Sequence, residues 1–531
     1  MPTQVTDWTS LNNACSNPAT YAPDGIIQVM NNIAYGTNNS VIVDNTKGIN
    51  INIQSSGGPW TLQGQTNAGG GNNNRHFLVG YNGQNGFIGT PNATFTIDNI
   101  ILDGGTGASA NTGVAPTPGT GTTFGGGIII ASGTNTIGPN CTIQNCWTGW
   151  WNVDGGGYGA LCVHSWFGSQ TQIPTVVNFS GIIQYNTNGS NQQQYQEAPG
   201  GVMVFQRNGW NTNNQPSGPA TIFNMTGGSI SYNSSFCGGG GMCLDTYAQH
   251  NTQSNCTFNM SAGTISYNVA ATVGGGIMCG SQSDDLINMN LSGGSISYNK
   301  ATGTGTYYMT ANGIPENGNG GGIWLMDGTT TISGSIQIWY NTASNFGGGA
   351  YTSAAVASTD PQAPNIVVNG GDWKANTAIQ GAAIYKSGGP LTVSTGNFHQ
   401  HTSTGDGAVF YAQASSISLN ATALPTNLTP SETNNTVVAG TISVFDNKAG
   451  GNGGVVNVSG TRGTSQVNSS FTATNVLFYN NSAAGNGGVL YSSSGSSYSG
   501  SGTPPTVTNN FTNCILSKNS ATNGGAYWVG M

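Results

Sequence analysis

Side chains able to do acid–base chemistry are scarce in this chain. Among 531 residues there are 9 Lys and Arg, 17 Asp and Glu and 5 His, so any cluster of them stands out. Asp284-Asp285 is the sharpest pair, and Asp245 and Asp327, like it, follow a glycine run and a short apolar segment. Glycoside hydrolysis needs two carboxyl groups flanking the bond, and a calcium-assisted elimination needs an acidic cluster with a basic partner. Arg207 is the only basic residue between Arg75 and Lys300. Adjacent residues of a strand point to opposite faces, so Asp284-Asp285 reads first as a polar turn before Ile287. His399 and His401 share one strand face at i, i+2 but lack a third metal ligand, and they read as an irregular step of a repeat. His164 lies in an aromatic segment with Trp147, Trp150, Trp151 and Trp166. Exposed rings of this kind stack on sugars, which makes the four tryptophans the candidate carbohydrate-binding residues. Packing in a core or corner is the competing reading. No catalytic residue and no metal or cofactor site is assigned.

The elements that position these residues come from an internal repeat. GGSISYN at Gly227, GTISYN at Gly263 and GGSISYN at Gly293 are each followed by a glycine run, and the pattern returns to the C-terminal end as NNSAAGNGGVL and NSATNGGAYW. The unit is a hydrophobe, two residues, an Asn, a spacer and Gly-Gly-apolar. The Asn positions are Asn233, Asn268, Asn299, Asn341, Asn376, Asn447, Asn480 and Asn519. One degenerate copy falls around Asn397-Phe398-His399, between Asn376 and Asn447.

Short alternating apolar runs such as Thr257-Phe258-Asn259-Met260 read as strands bounded by Gly and Asn turns. Several such strands per period of roughly 35 residues make one coil of a β-solenoid, in which stacked coils share one core. The predicted fold is all-β: a right-handed parallel β-helix with a short capping helix near Asp7–Ala14 and loop insertions. The cap is placed at 1–24 and a single β-helix at 25–531, with the clear repeats at 227–528. The Asn side chains are expected to stack in a buried ladder at one corner, and the Gly pair to serve a tight turn.

Composition narrows the function. Nine basic residues and a net charge of −8 argue against nucleic acid and against a basic membrane-binding face, and no apolar run is long enough to span a bilayer as a helix. The start, MPTQVTDWTS, shows no signal peptide. The nine cysteines leave open buried thiols, a few disulfides or, least of all, metal. Asn-x-Ser/Thr sequences occur at Asn92, Asn178, Asn224, Asn290, Asn420 and Asn457, as possible rather than assigned glycosylation sites.

The pairing of hydrophobe-x-x-Asn with Gly-Gly-(Ala/Ile/Val) resembles the repeat of chlamydial-type polymorphic outer-membrane proteins and of adhesin-like right-handed β-helix surface proteins. Asn341 with Gly347-Gly348-Gly349-Ala350 and Asn519 with Gly524-Gly525-Ala526 carry it best. The family's Phe is mostly Ile, Leu, Val or Trp here. The resemblance implies surface display or adhesion rather than a reaction. The Gly-His-Gly and Arg-x-Lys motifs of polygalacturonases, which share the β-helix, are absent from the sequence. The expectation is therefore a non-enzymatic, extracellular or cell-surface structural or adhesive protein, without cofactor. Its expected partners are copies of itself stacked end to end as filament subunits, or polysaccharide ligands. The alternative is a polysaccharide lyase or glycoside hydrolase on the same scaffold.

Overall fold

The computed structural model describes residues 1–35, 40–44, 48–64, 75–80, 94–105, 126–148, 159–166, 174–188, 199–207, 220–247, 255–280, 286–305, 310–311, 314–353, 364–459, 461–462, 465–466, 468–493 and 506–530. Short strands stack in parallel into one long, one short and one intermediate sheet, the architecture of a parallel β-helix. The chain groups into two compact units. The first is Met1–Ala271 with Gly276–Asn288 and Gly305–Tyr308, and the second is Thr272–Gly275, Met289–Thr304 and Met309–Met531. The motif continues across this boundary, so no change of composition marks it.

One coil of the second unit shows how sequence makes the fold. Thr329–Trp339 alternates buried Thr330, Ile332, Ile336 and Ile338 with half-exposed Thr331, Gln337 and Trp339. It pairs in parallel with Asn365–Lys374, with a shift in register after Gly334, whose φ of +61° bends the strand. Tyr340 then takes φ +54°, and this left-handed residue turns Asn341 inward. Thr342–Ala343 forms the short sheet. A glycine corner leads into Ala350–Thr352 of the third sheet, which pairs with Ile384–Lys386 of the next coil. Gly347 has φ +67°, and a Cβ on it would meet the Ala350 carbonyl oxygen at 2.3 Å. A Cβ on Gly349 would lie 2.6 Å from the Ala383 oxygen of the next coil. Turn and close approach together demand the glycine run.

The inward Asn side chains form a ladder in each unit. In the first unit the Asn233 side-chain Oδ1 accepts from the backbone N–H and the Nδ2 of Asn186, at 3.1 and 2.9 Å. Asn233 Nδ2 donates to Asn268 Oδ1 at 3.0 Å and to the Ile183 carbonyl at 3.1 Å. In the second unit the same pattern links Asn299 to Asn341 and Asn341 to Asn376. It resumes from Asn447 through Asn481 to Asn519. A side-chain amide has two donors and an oxygen with two lone pairs, and the ladder engages both.

Three details differ from the sequence reading. The rung after Asn447 is Asn481, which is fully buried. Asn480 is the left-handed residue before it, with φ +53°, and its exposed amide donates to Asp446 at 2.7 Å. With two adjacent Asn, spacing alone could not say which one faces in. The degenerate copy is filled by His401, whose Nδ1 accepts the Asn376 N–H at 3.1 Å and whose own N–H donates to Asn447. The ladder also starts earlier, at Asn186, which accepts from the Cys146 N–H.

At the N-terminal end, α1 (Trp8–Ser16) is capped by Asp7, whose carboxylate accepts the Ser10 N–H at 2.8 Å. It buries Trp8, Leu11, Ala14 and Cys15. A strand, Thr3–Val5, precedes the helix and pairs with Ile27–Val29, so residues 1–24 hold a first strand as well as a cap. The polar stretch 412–437 contains the sheet strand Ser416–Asn420. All nine cysteines are free thiols, eight of them buried. Burial pushes the thiols of Cys15, Cys141 and Cys146 well above their usual range and keeps them neutral.

Candidate functional site

Among the described residues, Asp372, Lys374, His399 and Glu432 come together in the second unit, on the outer face of the long sheet. Register places Trp339, Lys374, His399 and Phe445 in one row across successive strands. Gln337, Asp372, Asn397 and Ser443 form the adjacent row. The segment 421–440 brings Glu432 and Asn435 to these rows.

The polar contacts interlock. Asp372 accepts from Trp339 Nε1 at 2.9 Å, and its other oxygen lies 3.2 Å from His399 Nε2. Asn435 Nδ2 lies 3.1 Å from the same His399 nitrogen, and Asn397 donates to the Asn435 oxygen. Lys374 pairs with Glu432, whose second oxygen accepts from Gln400 at 3.3 Å. The Lys374 ammonium stands 5.6 and 5.5 Å from the ring centres of Trp339 and Tyr340, within cation–π range. His399 stacks on Phe445 at 4.8 Å. Burial pulls the Lys374 ammonium down, but its hydrogen bonds with Glu432 and Tyr340 outweigh that and hold it above its ordinary value. The Lys374 and Gln400 hydrogen bonds keep the Glu432 carboxyl below its usual range.

Chemically this is a clasp. One oxygen of Asp372 and both oxygens of Glu432 accept from neighbours, His399 Nε2 lies between the other Asp372 oxygen and the Asn435 amide, and the contacts run from sheet to loop. Sequence reading singled out His399 but passed over Asp372, Lys374 and Glu432. Asp372 and Lys374 are two apart on one strand face; Glu432 joins them only through the path of the loop, which no sequence period encodes.

Of the four tryptophans predicted to bind sugar, only the Trp147 side chain falls within the described residues. Trp147 is buried, in the two-residue strand Trp147–Thr148. His164 is buried and stacked on Phe205 at 5.1 Å. Trp150 and Trp151 lie outside the described residues, and Trp166 ends the strand Leu161–Trp166 with its side chain outside them. Asp245 is buried with its carboxylate accepting the Thr246 N–H at 2.8 Å, and Asp327 likewise accepts the Gly328 N–H. Asp284 and Asp285 lie outside the described residues. Among the described residues no group of three or more His, Cys, Asp or Glu is placed to hold a metal ion.

Two buried cations sit apart from the clasp. Arg75 donates to the Gly159 carbonyl at 2.5 Å, and burial lowers its pKa. Lys386 faces the core of the second unit and donates to the Pro364 carbonyl at 2.6 Å, and burial brings its pKa down to about 7. No protein-family model, curated protein or solved structure matches the chain.

Proposed function

We propose that this chain is a non-catalytic structural and adhesive β-solenoid that acts at a cell surface or outside the cell. The observation that carries the reading is how its polar side chains are used. Inward amides join coil to coil, and the charged groups of the outer face tie the segment 421–440 to the sheet. A general acid or nucleophile must be available to a substrate, whereas both oxygens of Glu432 and one oxygen of Asp372 accept from protein donors, and the second Asp372 oxygen faces His399.

The test is incubation of the full chain with neutral and acidic polysaccharides, followed by assay for new reducing ends and unsaturated products. The expected result is no turnover. Turnover lost in Asp285→Asn, or in Asp372→Asn, would establish the lyase or hydrolase alternative instead. Surface labelling of intact source cells checks the location, and strong signal without permeabilisation is expected.

A further inference from the structure

The first unit carries a sheet face whose outward side chains form two regular files. Thr94, Thr134, Val176, Ile222 and Thr257 make one file by strand register. Thr96, Thr136, Asn178, Asn224 and Asn259 make the other. Each residue is exposed or half-exposed, while Phe95, Asn135, Val177, Phe223 and Phe258 between them are buried. Neither file contains a charged residue. The first is a stripe of β-branched side chains that offers methyl groups. The second offers amides and hydroxyls, and its amides are pre-ordered: Asn224 donates to Asn178 at 3.0 Å and Asn259 to Asn224 at 2.9 Å.

This order also accounts for the Asn-x-Ser/Thr sequences here. The Asn faces out, the next residue fills the core, and the hydroxyl of Ser180 or Thr226 then reaches the backbone of the preceding coil, at 3.4 Å from the Ile137 and Phe179 carbonyls. Strand construction alone generates the motif.

We infer that this face binds an extended, uncharged β-linked glycan laid along the direction in which the coils stack. The inference rests on the adhesive reading above and names its ligand and its surface. An extended β-linked sugar chain has C–H faces and hydroxyl edges running in parallel, and here a methyl-bearing file lies beside an amide file. Strands about 4.8 Å apart repeat each file at a spacing whose double is comparable to the two-sugar repeat of such a chain. The absence of charge along both files favours a neutral glycan over an acidic one, since no cation on them meets a carboxylate. Rigid β-strand positions keep the ordering cost of the side chains low.

The experiment is depletion of the 531-residue chain by microcrystalline cellulose and by chitin. It compares the parent with Thr134→Lys and Asn224→Lys, and includes Asn480→Gly, in the other unit, as a control. Circular dichroism and thermal unfolding confirm that each variant is folded. The inference expects depletion of the parent and of Asn480→Gly, at least a tenfold weaker affinity in each lysine variant, and little binding to polygalacturonate. Unchanged binding by folded lysine variants overturns the assignment of this face while leaving an adhesive protein intact. Absence of binding to either neutral glycan overturns the ligand class. Inhibition of ice recrystallisation that the lysine variants lose, without glycan binding, reassigns the face to ice.

Discussion

At the scale of the residue, the ladder separates neighbours that look alike in sequence. Asn481→Ala leaves the buried N–H and Nδ2 of Asn447 and the Val444 carbonyl without the partner they have now. Each unsatisfied buried group costs about 1–3 kcal/mol, so a clear fall in denaturant midpoint is expected. Asn480→Gly, one residue earlier at φ +53°, should change stability little, because glycine adopts that conformation freely. Equal effects in urea melts would place the rung elsewhere. His401 makes a second test. Burial, with His399 adding to it, lowers its pKa to about 3, against about 6.5 in an unfolded chain. Between those values the unfolded state binds more protons, so stability falls as pH drops through that window. His401→Asn restores an amide rung and should raise the melting temperature at pH 4–5 more than at pH 7. His76, lowered by burial to about 4, keeps part of the acid sensitivity. Lys386 works in a higher window. With a folded pKa of about 7 and an unfolded one near 10.4, it gives stability that rises between pH 7 and 10. Lys386→Met should flatten that rise and stabilise the protein at pH 7 by on the order of a few kcal/mol; melts from pH 6 to 10 check it.

At the scale of the element, most of the coil is legible from residue types. Alternation in Thr257-Phe258-Asn259-Met260 gives a strand with Phe258 and Met260 inside, and Gly-Gly-Gly-Ala gives the corner before Ala350–Thr352. The tyrosines before the rungs were less legible. Tyr185, Tyr232 and Tyr267 adopt φ of +55°, +55° and +57°, at a cost of roughly 1–2 kcal/mol for each left-handed residue. Stacking at 5.2 and 5.0 Å returns about 0.5–1.5 kcal/mol per pair. Sequence shows the repeated Tyr-Asn but not the backbone strain it offsets. The clasp was hidden for another reason: Glu432 meets Lys374 across 58 residues, through a loop with no period. Breaking it should loosen the loop and spare the coils. Glu432→Gln is expected to speed proteolysis and hydrogen exchange within 421–440, with protection of Ile442–Phe445 unchanged. Equal loss of protection in both segments would make the clasp part of the sheet's own stability.

At the scale of the whole molecule, a chain with so little charge folds because stacking supplies what surface charge cannot. Rows of apolar side chains fill each unit, as in Phe179, Phe223 and Phe258 at 5.5 and 5.8 Å, and amide rungs satisfy the corner. The repeat motif carried the fold class, because each copy places its apolar residues, its Asn and its glycines at the same steps of a coil. It carried the ladder better than the outward files of the first unit's sheet. The four tryptophans drew attention as aromatic residues, whereas Thr94, Thr134 and Asn224 are ordinary in a Thr- and Asn-rich chain until register aligns them. The central claim is binding without turnover. Its most direct test follows one sample of the full chain with insoluble neutral glycan, measuring protein depletion and released sugar together. The account expects the protein to sediment with the glycan while no new reducing ends or unsaturated products appear. Product release that disappears on substitution of Asp372 or Asp285 would contradict it.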